Sequence, residues 1–334
     1  MKKTALGAAA LTATAVLGLG ACGSSPAATT SHGAPATGGA PSRPSHPSTP
    51  AGPPTLHVRR PHWRLSSPIG REAIIDGGSD VTIAGGLVGG DSSTPAAWRL
   101  SVGRGHVGSL PPLAVPVHDT AGALLNGRPL VIGGGNAAEQ SVVQEWDGHG
   151  WQVVGHLPEA RSDLVAATIG DHVYVLGGYN GSRPAEPDVL SSTDGKRWKV
   201  VGRLPLPVRY AASTVVDGDV WLFGGERNDV EQTAVQRFDP RTGHSKVVAH
   251  LPRPVGHAVA IPLGGRILIA GGRTDPNTVT DRMWWFDPAT GRTRPAGHLP
   301  TPLADAAVAR VGAVTYVVGG ESPDPTRQVL AVTD

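Results

Sequence analysis

The sequence predicts an all-β protein, a β-propeller of six blades with four antiparallel strands in each, and the first observation behind that reading is a repeated phrase. "HVYVLGG" at residues 172–178 returns as "DVWLFGG", "RILIAGG" and "VTYVVGG". Set out by its glycine pairs, the chain has six units, at Gly85-Gly86, Gly133-Gly134, Gly177-Gly178, Gly224-Gly225, Gly271-Gly272 and Gly319-Gly320, with intervals of 48, 44, 47, 47 and 48 residues. A period of that length marks a supersecondary unit that cannot bury its faces alone and packs against its copies. Composition is the second observation: 46 glycines and 31 prolines against three phenylalanines and two methionines in 334 residues suit many short strands joined by turns.

Each part of the unit has a physical reading. The run before a glycine pair, such as "VYVL" or "ILIA", is apolar on both faces, as a strand between neighbouring sheets requires. About fifteen residues later come a strand end and a turn, "EWDGHG", "STDGKR", "FDPRTG" or "FDPATG", in which Asp147, Asp194, Asp239 and Asp287 are placed to cap the backbone. An outer strand follows, "WQVVGHLP", "WKVVGRLP", "SKVVAHLP" or "TRPAGHLP", anchored in two copies by Trp151 and Trp198. Next is a strand of small residues, "DLVAATI" or "YAASTVV", narrow enough for a crowded central axis. The first unit is degraded, since "RLSVGRGHVGSLPP" lacks both the turn aspartate and the tryptophan.

Asp334 falls where the outer strand of the last blade is due. The stretch "PHWRLSSP", residues 61–68, is expected to supply it, with Trp63 standing where Trp151 and Trp198 stand. An N-terminal strand would then close the last blade and leave no open edge.

The glycine pair after an apolar strand, the "FDP" or "EWD" turn, the following tryptophan and the "LP" resemble the kelch repeat over residues 56–334. The resemblance, to the galactose oxidase-like kelch superfamily, implies a propeller that binds a partner through one loop face. It also implies an alternative, because the family includes a metal-independent sialic acid epimerase, a sugar isomerase. A copper radical oxidase is excluded, since its cofactor needs a cysteine crosslinked to tyrosine and the sole cysteine, Cys22, lies elsewhere.

Cys22 ends a segment with the pattern of an export signal: Lys2 and Lys3, then the run "TALGAAALTATAVLGLGA". "LGAC", residues 19–22, resembles the lipobox of bacterial lipoproteins, in which the cysteine is acylated. Residues 1–21 are therefore expected to be a lipoprotein signal peptide, and Cys22 the site of lipidation. Residues 22–55 are rich in Pro, Ser, Thr and Gly, have no large apolar residue before the propeller, and read as a disordered tether. It would reach roughly 30 Å as a coil and about 100 Å in polyproline form. The expected product is a propeller at residues 56–334, monomeric, held by a lipid on the outer face of the cytoplasmic membrane of a bacterium. Twenty-nine Lys and Arg balance 27 Asp and Glu with no basic run in the propeller, which argues against nucleic acid as a partner.

Chain direction places two connections of each unit on one face: the loop after the glycine pair and the entry to the innermost strand. Directly after the pairs stand Leu87, Gly135, Tyr179, Glu226, Arg273 and Glu321. Fourteen residues before the first glycine of each pair stand Arg71, Asp119, Asp163, Tyr210, His257 and Asp305, with His118 and Arg209 beside them. The ten charged and aromatic members of the two sets, with Arg209, are the eleven expected ligand-binding residues: charges suited to a hydroxyl-bearing or amino ligand, Tyr179 and Tyr210 suited to stacking on a sugar ring. For an epimerase, Glu226 and Arg273 are the acid-base pair. No cofactor and no metal site are expected. Of the 13 histidines, His156, His250 and His298 repeat in "HLP" and fall on separate blades, and no zinc, calcium or phosphate-loop motif occurs.

Overall fold

A computed structural model describes residues 55–89 and 92–334. The expected signal peptide, Cys22 and the tether up to residue 54 lie outside the described residues. The described chain forms six four-stranded antiparallel sheets. In chain order, blade 1 is Ala73–Asp76, Asp80–Ala84, Ala97–Ser101 and His106–Leu110; blade 2 is Ala121–Leu125, Arg128–Ile132, Val142–Trp146 and Trp151–His156; blade 3 is Val165–Ile169, His172–Leu176, Asp188–Ser192 and Lys199–Arg203. Blade 4 is Ala212–Val216, Asp219–Phe223, Ala234–Asp239 and His244–His250; blade 5 is Val259–Leu263, Arg266–Ala270, Arg282–Phe286 and Thr293–His298. Blade 6 takes three strands from the C-terminus, Ala304–Val311, Val314–Glu321 and Val329–Thr333, and its fourth, His57–Arg59, from the N-terminus.

The hydrophobic clusters lie between blades. Val220, Leu222 and Phe238 of blade 4 pack on Tyr174 and Leu176 of blade 3, and Phe223 of blade 4 meets Phe286 of blade 5 edge-on with ring centroids 5.2 Å apart. This is why the second strand of each blade is apolar on both faces: each face is buried against a different neighbour.

The glycine pairs are required by the same crowding. At Gly177, with φ +64°, a Cβ would stand 2.3 Å from the Val208 carbonyl oxygen of the connection into blade 4; at Gly178, with φ +97°, it would stand 2.7 Å from the Ser162 carbonyl oxygen of its own blade. Both positions also use backbone that disfavours a side chain. The turn aspartates act as expected: Asp147 Oδ1 accepts from the amides of His149 and Gly150 at 2.8 Å, and Asp194 Oδ1 from those of Lys196 and Arg197 at 2.9 Å. Blades 2 to 5 share a bulge in the third strand, at Val143/Gln144, Val189/Leu190, Val235/Gln236 and Met283/Trp284. Blade 1 lacks it, and in place of an aspartate turn has a single 3-10 turn, Val102–Arg104.

The closing strand differs in position from the sequence expectation. His57–Arg59 pairs with Val329–Thr333, while residues 61–68 form no strand. These residues instead run inward along the blade: the Leu65 amide donates to the Arg327 carbonyl, and Ile69 bridges to Thr326. Trp63 lies 6.0 Å from the Tyr316 ring of blade 6 and covers Gly105 of blade 1, where a Cβ would touch its ring at 2.7 Å. The tryptophan thus packs between blades 6 and 1, outside any strand, and does not take the place in an outer strand that Trp151 has.

Candidate functional site

Each innermost strand is entered through one residue of left-handed backbone: Arg71, Asp119, Asp163, Tyr210, His257 and Asp305, with φ between 49° and 59°. The amide of each donates to the carbonyl of its equivalent in the preceding blade at 2.8–3.1 Å, and Arg71 donates to Asp305, so six backbone hydrogen bonds close a circle at one end of the axis. A non-glycine residue in this region costs about 1 kcal/mol. The hydrogen bond that each gains is of similar size.

The second ring is tied to the first. Tyr179, Glu226 and Arg273 bridge to Ser162, Arg209 and Gly256, and Glu321 pairs with Ala304, each one step before a ring residue. All eleven expected residues therefore join one network. Arg71 Nε donates to Glu321 at 2.8 Å and its Nη1 to Asp119 at 3.3 Å; Arg273 Nη2 reaches Glu321 at 2.6 Å and Asp305 at 3.2 Å. His257 Nδ1 is 2.5 Å from Asp305 and its Nε2 3.5 Å from Glu226. Arg209 Nε donates to the same Glu226 at 2.7 Å, and Arg209 lies 3.6 Å from Asp163 and 5.0 Å over the Tyr179 ring. Residues about 48 apart in sequence have become partners because that is one blade.

Tyr210 is the member whose surroundings depart from expectation. One face stacks on His257 with centroids 3.9 Å apart, its hydroxyl donates to Asp119 at 3.2 Å, and the Arg209 and Arg71 guanidinium groups lie 5.5 and 5.9 Å from its ring. With that face covered, Tyr210 is a wall of the site and leaves Tyr179 as the aromatic of the outer ring.

Burial and pairing divide the titrations. Burial pushes the Asp163 carboxyl up to about 8, helped by Asp119. Asp119 itself rises to about 6, burial outweighing Arg71. Burial also acts against the Asp305 carboxylate, but His257, Arg71 and Arg273 bring it down to about 2. For His257, burial lowers the value and Asp305 more than restores it, to about 9, so this imidazole is a cation at neutral pH.

Sequence reasoning missed Glu72. It follows Arg71, where the other blades carry Thr120, Leu164, Ala211, Ala258 and Ala306, and it is 5 % exposed. Neither carboxylate oxygen has a hydrogen-bonding partner on another residue, and burial pushes the group up to about 8. Counting thirteen back from each glycine pair, one step beyond the count used for the ring, isolates the one acid among small and apolar residues.

The face around the network carries two-stranded hairpins at Leu87–Val88 with Ser92–Ser93, Glu226–Arg227 with Val230–Glu231, and Arg273–Asp275 with Thr278–Val279. His156, His250 and His298 end outer strands of blades 2, 4 and 5 and face Ser141, Thr233 and Asp281 of their own blades. Among the described residues, no group of three or more His, Cys, Asp or Glu is arranged to hold a metal ion.

A family model described as the KLHDC2/KLHL20/DRC7 kelch-repeats domain matches residues 121–320. The chain belongs to the kelch-repeat family. The matched span of this kelch propeller begins at the innermost strand of blade 2, so the degraded blade 1 lies outside it. No curated relative matches the chain.

Proposed function

We propose that this kelch propeller is a binding module that takes a polar partner, protein or glycan, on the mouth formed by its two rings. One observation carries the reading: arginines from blades 1, 4 and 5, with side chains 23, 18 and 13 % exposed, are held among carboxylates at the one end of the axis where three hairpins also rise. Guanidinium groups fixed by two or more carboxylates lose little freedom when a ligand adds another hydrogen bond, which favours affinity. The chemistry of binding fits better than that of the sialic acid epimerase, because Glu226 is held below the usual carboxylate range: burial raises it, but hydrogen bonds from His257 and Arg209 outweigh that. A carboxylate so engaged is a poor general base at neutral pH.

The signal segment, the "LGAC" motif and the tether support display of this head outside the cytoplasm on an acylated Cys22. Cys22→Ala should then move the protein from the membrane fraction to the soluble fraction, and an unchanged distribution would sink the anchor. For the mouth, a glycan array and a pull-down with residues 55–334 are the test. Arg273→Ala and Glu226→Gln should each weaken the recovered ligand by about tenfold or more. Retention of full affinity in both would remove the mouth as the site. Turnover of an N-acylated sugar by the pure head, lost in Glu226→Gln, would replace binding by isomerisation.

A further inference from the structure

The strand that closes blade 6 is short. His57–Arg59 has three residues where the outermost strands of blades 1 to 5 have five to seven. The chain leaves the sheet after Arg59, and there a cleft of about 420 Å³ opens between residues 60–64 and residues 326–329. Sites for small molecules have volumes of roughly 300 to 1,000 Å³, and the cleft falls in that range. None of the ring residues of the mouth lines it.

Its lining is basic, with no acid to answer it. Arg60, Arg64 and Arg327 bring guanidinium groups, His62 an imidazole, and no Asp or Glu is among the lining residues. At the mouth, by contrast, Arg71, Arg209 and Arg273 each hold two or more carboxylates. Arg60 and Arg64 are exposed and make no hydrogen bond or ion pair with any described residue. Two further donors are already fixed. Arg327 Nε donates to the Leu65 carbonyl at 2.8 Å, which orients the guanidinium and leaves both Nη groups without a partner among the described residues. Gln328 Oε1 accepts from the Thr301 hydroxyl at 3.0 Å, so its amide nitrogen is the end left to donate. Trp63 gives the cleft an apolar wall, backed by the Tyr316 ring at 6.0 Å.

The occupant has to bring the missing negative charge. Residues 1–54 contain no Asp or Glu, so the preceding segment does not supply it. A carboxylate offers about four acceptor positions, fewer than the donors that three guanidinium groups and an amide present. The guanidinium fork also matches the oxygens of a phosphate. We infer that this cleft binds a phosphate ester, with the phosphate among Arg60, Arg64, Arg327 and Gln328 and the carbon chain of the ester against Trp63. The charges are gathered at one point and do not run along a face, which suits a single phosphate group and not a nucleic acid. The ester is a soluble polyol phosphate or a lipid headgroup, and the phosphate chemistry is the same in both.

The test uses the chain from residue 23 onward, which keeps the whole propeller and the segment before it. Glycerol phosphate is titrated calorimetrically, and vesicles of phosphatidylglycerol and phosphatidylcholine in equal parts are tested by flotation. Glycerol phosphate should bind, glycerol and acetate should bind at least about tenfold more weakly, and added salt should weaken the complex. Arg60→Gln and Arg64→Gln, at exposed positions, should each lower affinity about tenfold and leave the melting temperature unchanged. Arg327→Lys, which keeps the charge and loses the fork, should lower it by a similar factor. Vesicles bound more tightly than glycerol phosphate, and released by Arg60→Gln, assign the ester to a lipid. Mixed vesicles bound no better than phosphatidylcholine alone, with glycerol phosphate retained, assign it to a soluble phosphate. Binding of neither probe, binding indifferent to Arg60→Gln and Arg64→Gln, or acetate displacing glycerol phosphate at equal concentration overturns the inference. So does an oligonucleotide that displaces glycerol phosphate at a much lower concentration, since that marks a surface for polyanions.

Discussion

At Asp305 a single carboxyl receives His257 at 2.5 Å and Arg273 at 3.2 Å and lies 3.9 Å from Arg71. The consequence is a pH dependence with a definite sign. His257, raised to about 9, stabilises the fold fully below its unfolded value near 6.5 and loses that contribution as pH rises through 9. Glu72 and Asp163 act the same way, because the native state holds protons up to about 8 that the unfolded state releases near 4. Asp305 opposes them only at the acid end, its contribution being lost as pH falls through about 2. The melting temperature should therefore fall between about pH 6 and 9, by about 1.4 kcal/mol of stability per pH unit for each extra proton the native state holds. Scanning calorimetry across that range checks it, and a flat profile contradicts the assignment. Glu72→Gln should flatten the profile in part.

Elements carry the next set of constraints. The glycine pair ends a strand between two carbonyls of neighbouring segments, so Gly177→Ala should destabilise the protein by about 2 to 4 kcal/mol through overlap with the Val208 carbonyl and an unfavourable φ. Denaturant unfolding measures this, and a loss under about 1 kcal/mol would mean that the backbone at the pair gives way. Gln144 and Gln236 are a second repeated device: each is fully buried and spans a preceding connection, Gln236 accepting from the Leu206 amide at 3.1 Å and donating to its carbonyl at 2.8 Å. The strand run, the glycine pair and the aspartate turn are all legible in the sequence because each depends on neighbours within one repeat. The strand that closes blade 6 was placed four residues too late for a related reason. Trp63 resembles Trp151, but its ring partner, Tyr316, comes from the last blade, about 250 residues further on, and it also covers Gly105 of blade 1.

On the scale of the molecule, closure joins the two ends. Chain starting at residue 61 lacks His57–Arg59, exposes the edge of Val329–Thr333 and uncovers the cluster against which Leu56 and Val58 pack. Its stability should drop by about 3 kcal/mol from the two side chains alone, and unfolding monitored by denaturant reads the difference. A truncated chain with unchanged stability would show that the blade tolerates three strands.

Period, strand count, turn chemistry and the membership of both rings were determined by the sequence alone, because a repeat of about 47 residues converts sequence offset into position around an axis. The tertiary structure decided what those residues do to one another. It turned twelve positions into two linked rings, covered a face of Tyr210 with His257, and buried the Glu72 carboxylate against Gly319 without a partner. None of this is periodic: a side chain's partner and its proton affinity depend on which residues the other five blades bring to the same end, and on how little water remains between them.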